Sequence, residues 1–185
     1  MRTIVKLLLL PVLGALCAAI ALAAGIVDFS AMKPPSHLEE QLATFALNRS
    51  IARHASKETN PLAGEPAAFA AGLALFRTHC VSCHGAPGVD PTEAGASLNP
   101  PAPGLSLPRV QARSDGELKW IVANGIRMTG MPAFGVSRSE EEVWQLVAAL
   151  RRLPELSSEE RRMLAKESGA SVSAKLPGAS VNKKL

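Results

Sequence analysis

Cysteine is scarce in this chain: there are three in 185 residues, and none follows Cys83. A tetrahedral zinc site needs four nitrogen or sulfur ligands, and no second C-x-x-C or His/Cys pair joins Cys80 and Cys83 to supply them. An excess of positive charge is also missing where a nucleic acid would require it. Residues 67–157 hold eight basic and eight acidic side chains, while 158–185 hold six against three, so the net charge of +4 reflects the tail rather than a basic binding face. No internal repeat and no convincing strand pattern occur, which leaves an all-α chain. Tyrosine is absent altogether.

Charge is missing from one further place, the run Leu7 to Val27. At about 1.5 Å per residue an uncharged helix of that length comes to roughly 31 Å, close to the hydrocarbon thickness of a bilayer. Arg2 and Lys6 precede it, which puts the N-terminus in the cytoplasm and the rest outside. The expectation is a single-pass anchor in a bacterial inner membrane with the following domain in the periplasm. The alternative is a cleaved signal sequence with Ala21-Leu22-Ala23 near the processing site, giving a soluble periplasmic protein. Cys17 lies within this run and reads as a lipid-facing or packed thiol.

Four segments follow from the punctuation: 1–30, anchor or signal; 31–65, a linker with an amphipathic helix; 66–157, the main domain; 158–185, a short helix and a basic tail read as disordered. Ser36 with Glu39 starts a helix at His37 running to about Lys57, with Leu38, Leu42 and Phe45 as a narrow apolar stripe. A membrane, the main domain or a partner would each suit that stripe, and so would a plain spacer. Pro66 opens the next helix, to His79, in which Phe69, Leu73 and Phe76 share a face and Gly72 permits close approach of another helix. Ser114/Glu117, Ser139/Glu142 and Ser157/Glu160 are three further helix starts. Between Gly85 and Pro108 runs a long Gly- and Pro-rich coil, too long to organise itself.

Cys80-Val81-Ser82-Cys83-His84 is a C-x-x-C-H sequence, which fixes a haem through two thioethers and ligates its iron with the histidine. A redox dithiol would follow a buried strand, whereas this motif follows a helix-like stretch. Export of the domain agrees with covalent attachment outside the cytosol. For the second axial position the candidate is Met131, set by Gly130 and Pro132 in a loop between helices, with Met128 as its competitor. His79, next to Cys80, and His37 and His54, outside the domain, read as ordinary histidines.

Taken together, Cys80-Val81-Ser82-Cys83-His84-Gly85, Asn124-Gly125-Ile126, and Thr129-Gly130-Met131-Pro132-Ala133-Phe134-Gly135 followed by a helix with Trp144 resemble the class I c-type cytochromes, of the membrane-anchored bacterial monohaem kind, over roughly residues 60–157. The resemblance implies three to four helices around one covalently bound haem c, behind an N-terminal transmembrane helix, with Gly72 and Phe76 where the first and last domain helices cross. It implies that the Pro103 carbonyl, with Pro100 and Pro101 as alternatives, takes the hydrogen bond of His84, and that Leu105 and Phe134 contact the haem along with Phe76 and Trp144. It also suggests that Trp120 and Arg127 meet a propionate, against core packing and a solvated charge. The chain departs from the pattern at Ala149, where the family often has an aromatic. With both axial positions filled, the expected function is one-electron transfer between respiratory-type redox partners by a carrier that is not an enzyme and takes no small-molecule substrate. A permanent cytochrome subunit of a larger membrane oxidoreductase complex is the alternative. A haem sensor or enzyme has no identifiable distal acid–base residue in its support.

Overall fold

The computed structural model describes residues 2–167, with the side chains of residues 9–166. The basic tail expected after Ala170 lies outside the described residues. Contacts divide the chain into two units between Lys33 and Pro34. The first contains α1, Arg2–Ala23. Among the described residues no helix is long and apolar enough to cross a membrane.

In the second unit the described elements are helical: α2 (His37–His54), α3 (Pro66–His79), α4 (Val81–His84), α5 (Glu93–Ala96), α6 (Pro108–Gln111), α7 (Asp115–Asn124), α8 (Glu140–Arg152) and α9 (Ser158–Glu167), with single 3-10 turns at Phe134–Val136 and Leu153–Glu155. Side chains at the helix starts decide several of these boundaries. Ser114 and Ser139 each accept the backbone N–H three residues on, from Glu117 and Glu142, whose carboxylates accept the serine N–H at 2.8 Å in return. Ser157 and Glu160 make the same exchange before α9. Each such pair satisfies two N–H groups that the helix itself cannot.

The core is built on α3 and α8. Gly72 approaches α8 so closely that a Cβ added to it would lie 1.9 Å from the Gln145 carbonyl oxygen and 3.1 Å from Ala149 Cβ. A small residue at 149 is therefore what this crossing accommodates, and Ala149 is fully buried there. Phe76, Val143, Leu146 and Leu150 fill the space around the contact, and Arg152 covers the Phe69 ring at 3.9 Å. On the other side of α8, Trp144 and Val147 pack with Leu118 of α7.

Two segments are more embedded than their composition suggests. Leu164 and Ala165 of α9 join the core around α3 and α8, because the Leu153–Glu155 turn folds the chain back and Arg161 donates to the Leu156 and Pro154 carbonyls. The stretch after α2, expected to be a break before the domain, is fastened to it. Asp115 accepts the Asn60 N–H at 2.9 Å, and the buried Asn60 amide donates to the Trp144 carbonyl at 2.9 Å. Gly116 lies against Ser56, where a Cβ would sit 1.9 Å from the carbonyl oxygen.

Gly72→Ala should lower stability by about 3 kcal/mol, since the clash is with backbone and only separation of the helices relieves it; a thermal melt would register it. The capping carboxylates predict a pH effect. Glu142 is held below its ordinary value of 4.5, first by the Ser139 backbone N–H, and Glu160 by the Ser157 side chain and N–H. A carboxyl whose folded pKa is depressed contributes stability that is complete above its unfolded pKa and is lost as pH falls through the folded value. Stability measured in denaturant should therefore decline below about pH 4.5, and Glu142→Gln should flatten that decline.

Candidate functional site

One cavity of about 520 Å³ opens beside the α3–α8 contact, within the range of small-molecule and cofactor pockets. Cys80 and Cys83 lie on it because α3 ends at His79 and a single helical turn, α4, follows at once. That turn is held from behind. The Thr92 hydroxyl donates to the Ser82 carbonyl at 2.5 Å while accepting the Gly95 N–H at 3.1 Å. Gly95 is pressed so tightly on Cys83 that a Cβ would come within 1.9 Å of its carbonyl oxygen. Neither residue carries chemistry that a motif search detects; their role is to give the C-x-x-C-H turn one position.

His84 Nδ1 lies 2.8 Å from the Pro103 carbonyl oxygen. A carbonyl can only accept, so Nδ1 carries the proton and Nε2 keeps its lone pair. Burial pushes the His84 pKa down, opposed by this bond, and so favours the neutral ring a metal ligand must be. Burial pushes the Cys80 thiol the other way, up to about 12, helped by the neighbouring Cys83. An activated redox thiol needs a depressed pKa, the opposite of what burial gives Cys80, whereas an uncharged thioether suits the apolar surroundings.

Met131 lines the same cavity, as do Leu105 and Phe134. The loop that presents Met131 is closed on itself: the Thr129 hydroxyl donates to the Ile126 carbonyl at 2.7 Å and accepts the Met131 N–H at 3.2 Å, and Ile126 N–H returns to the Met131 carbonyl. Met128, at φ +60, is 87% exposed and does not line the cavity.

Trp120 and Arg127 do not line the cavity. Trp120 lies on the side of α7 toward α2 and stacks on His54, ring centroids 6.0 Å apart, and Arg127 is exposed. Phe76 and Trp144 are core residues and are likewise not part of the wall. The cavity wall also includes Leu146 and Leu150 of α8, Ile121 and Val122 of α7, and Arg109 and Arg113 from around α6. His79 also reaches the cavity, with Nε2 2.7 Å from the Arg138 guanidinium. Most unexpectedly, Thr44, Leu47, Asn48 and Ile51 of α2 line it too. The i, i+3, i+4, i+7 spacing was there to be read, but two of the four residues are polar.

Two thiols, a neutral imidazole, a thioether, apolar walls and two arginines able to meet carboxylates make up a donor set that fits a haem c. Residues 67–148 match the family described as cytochrome C oxidase, cbb3-type, subunit III. These residues form a class I c-type cytochrome domain. The cofactor of such a domain is covalently bound haem c, and its chemistry is haem-based electron transfer. Among solved structures, the chain is similar to cytochrome cL of the marine methylotrophic bacterium Methylophaga aminisulfidivorans, at 19% identity over 74% of this chain and 85% of that one, with a TM-score of 0.38. That overlap is too loose to carry a residue from one chain to the other. No curated protein matches the sequence.

Gly125, at φ +64, ends α7 directly against the Met131 loop, where a Cβ would lie 2.7 Å from the Met131 carbonyl oxygen. Gly125→Ala should cost about 2 kcal/mol and displace that loop, combining left-handed strain with a backbone clash; the denaturant midpoint of the variant measures the cost.

Proposed function

We propose that the domain is a one-electron carrier whose iron is ligated by His84 and Met131. It would work on the periplasmic side of a membrane to which the uncharged run Leu7 to Val27 tethers it. The observation that carries this reading is the convergence of Cys80, Cys83, His84 and Met131 on one apolar cavity. A bound haem c supplies reversible exchange between the ferric and ferrous states.

The residues around it account for the rest. Pro103 fixes the His84 tautomer and ring plane and strengthens the imidazole as a donor. The Met131 thioether favours the ferrous state over what a second imidazole would allow. Leu105, Ile121, Val122, Phe134, Leu146 and Leu150 keep water off, which disfavours the additional charge of ferric iron and raises the potential. A haem iron held by both His84 and Met131 would have no position open to a gas, peroxide or substrate. Tethering raises the local concentration of the domain around membrane partners without tight docking. A second reading, a permanent subunit of a larger membrane oxidoreductase, is favoured by the match to a family of oxidase subunits.

The ferric protein should show the weak absorption band of sulfur bound to iron, and the ferrous protein should not bind carbon monoxide at neutral pH. Met131→Ala should abolish the first and permit the second, and Met131→His should remain six-coordinate at a lower midpoint potential. A wild-type ferrous protein that takes up carbon monoxide would refute the ligation. Detergent extraction and sizing distinguish a free carrier from a stoichiometric complex.

A further inference from the structure

The cytochrome match begins at residue 67, yet a helix ending at His54 supplies part of the cavity wall. Thr44, Leu47, Asn48 and Ile51 fall on one face of α2, and their burial is graded along it. Ile51 is fully buried, Leu47 is half-buried, and Thr44 and Asn48 are exposed at the opening. Asn48 Oδ1 accepts a hydrogen bond from Arg113 Nη2 at 2.8 Å, and Glu117 lies 3.7 Å from the same guanidinium. Arg113 is thus held at the rim of an apolar cavity by a residue of α2 and a residue of α7. The outward stripe of α2, Leu38, Leu42 and Phe45, is exposed and takes no part.

We propose that α2 is a working wall of the haem site, which sets the redox potential in two ways. Leu47, backed by the buried Ile51, closes the cavity against water from its mouth. Asn48 acts as a positioning residue that holds the Arg113 charge against the carboxylates of the porphyrin. Both effects disfavour the ferric state, the first by lowering the local dielectric and the second by placing positive charge nearby. The mooring of residues 56–60 on α7 and α8 keeps α2 in this position.

The inference rests on the electron-transfer reading above, and its test is redox titration of the full-length haem-loaded protein. Leu47→Gln should move the midpoint potential negative and speed oxidation by ferricyanide several-fold. Leu42→Gln, the same change on the outward face of the same helix, should alter neither. Asn48→Ala and Arg113→Gln should each lower the potential, and the double variant should match Arg113→Gln alone because Asn48 acts through it. If Leu47→Gln does not accumulate with haem, Asn48→Ala, which removes no buried apolar volume, carries the test. Potentials that are the same in wild type, Leu47→Gln and Asn48→Ala would overturn the inference, as would additive shifts in the double variant. A wild type that cannot be cycled reversibly would instead overturn the electron-transfer reading itself.

Discussion

The approach of α3 to α8 at Gly72 fixes both sides of the haem site at once. Because α3 runs directly into the Cys80–His84 turn, the depth at which Gly72 seats against Gln145 and Ala149 determines where the two thiols and the imidazole emerge. Leu146 and Leu150 of α8, each the next residue after one that Gly72 meets, form the adjoining wall. Interiors are packed too densely to absorb an extra methyl between two backbones, so the crossing acts as a fixed joint. In this chain the joint is made from a glycine and an alanine, with the bulk supplied by Phe76 nearby.

The opposite wall has little regular structure of its own and is held by polar contacts. Arg151, at the end of α8, donates to the Asp115 carboxylate at 2.6 Å and to the carbonyls of Gln111 and Arg113 at 2.7 and 2.6 Å. The Gln111 amide bridges the Leu105 and Leu150 carbonyls. With the Pro103–His84 bond, these contacts clamp the segment from Pro103 to Arg113 to α8 on one side and to the C-x-x-C-H turn on the other. Charge-assisted hydrogen bonds of about 1.5–3 kcal/mol each suffice to order a segment whose own helix, α6, is only four residues long.

Local chemistry made much of this legible in advance. The serine–glutamate pairs mark the starts of α7, α8 and α9 because two hydrogen bonds within four residues decide them, and Pro66 marks α3 for a similar reason. Cys80, Cys83, His84 and Met131 are singled out by their type and order, which tertiary packing does not alter. What depends on packing was harder to read. Leu164 and Ala165 sit in a strongly charged helix, and only the turn at Leu153–Glu155 brings them inward. Trp120 and Arg127 are placed by the rotation of α7 and the path of the loop after it, neither of which has a local signal. On α2 the apolar stripe that stands out in sequence is the exposed one, whereas the face on the cavity is half polar because it borders an opening.

That mixed face bears on how the domain uses charge. Net charge over residues 67–157 is zero, so long-range steering of a partner by the domain as a whole is weak. The charges are not spread evenly, however. Arg109 and Arg113 border the cavity, and Glu140, Glu141 and Glu142 gather at the start of α8. A charge beside a low-dielectric cavity acts on what the cavity holds far more strongly than the same charge acts on a distant molecule through salt water. The arginines are therefore better placed to tune the haem than to attract a partner.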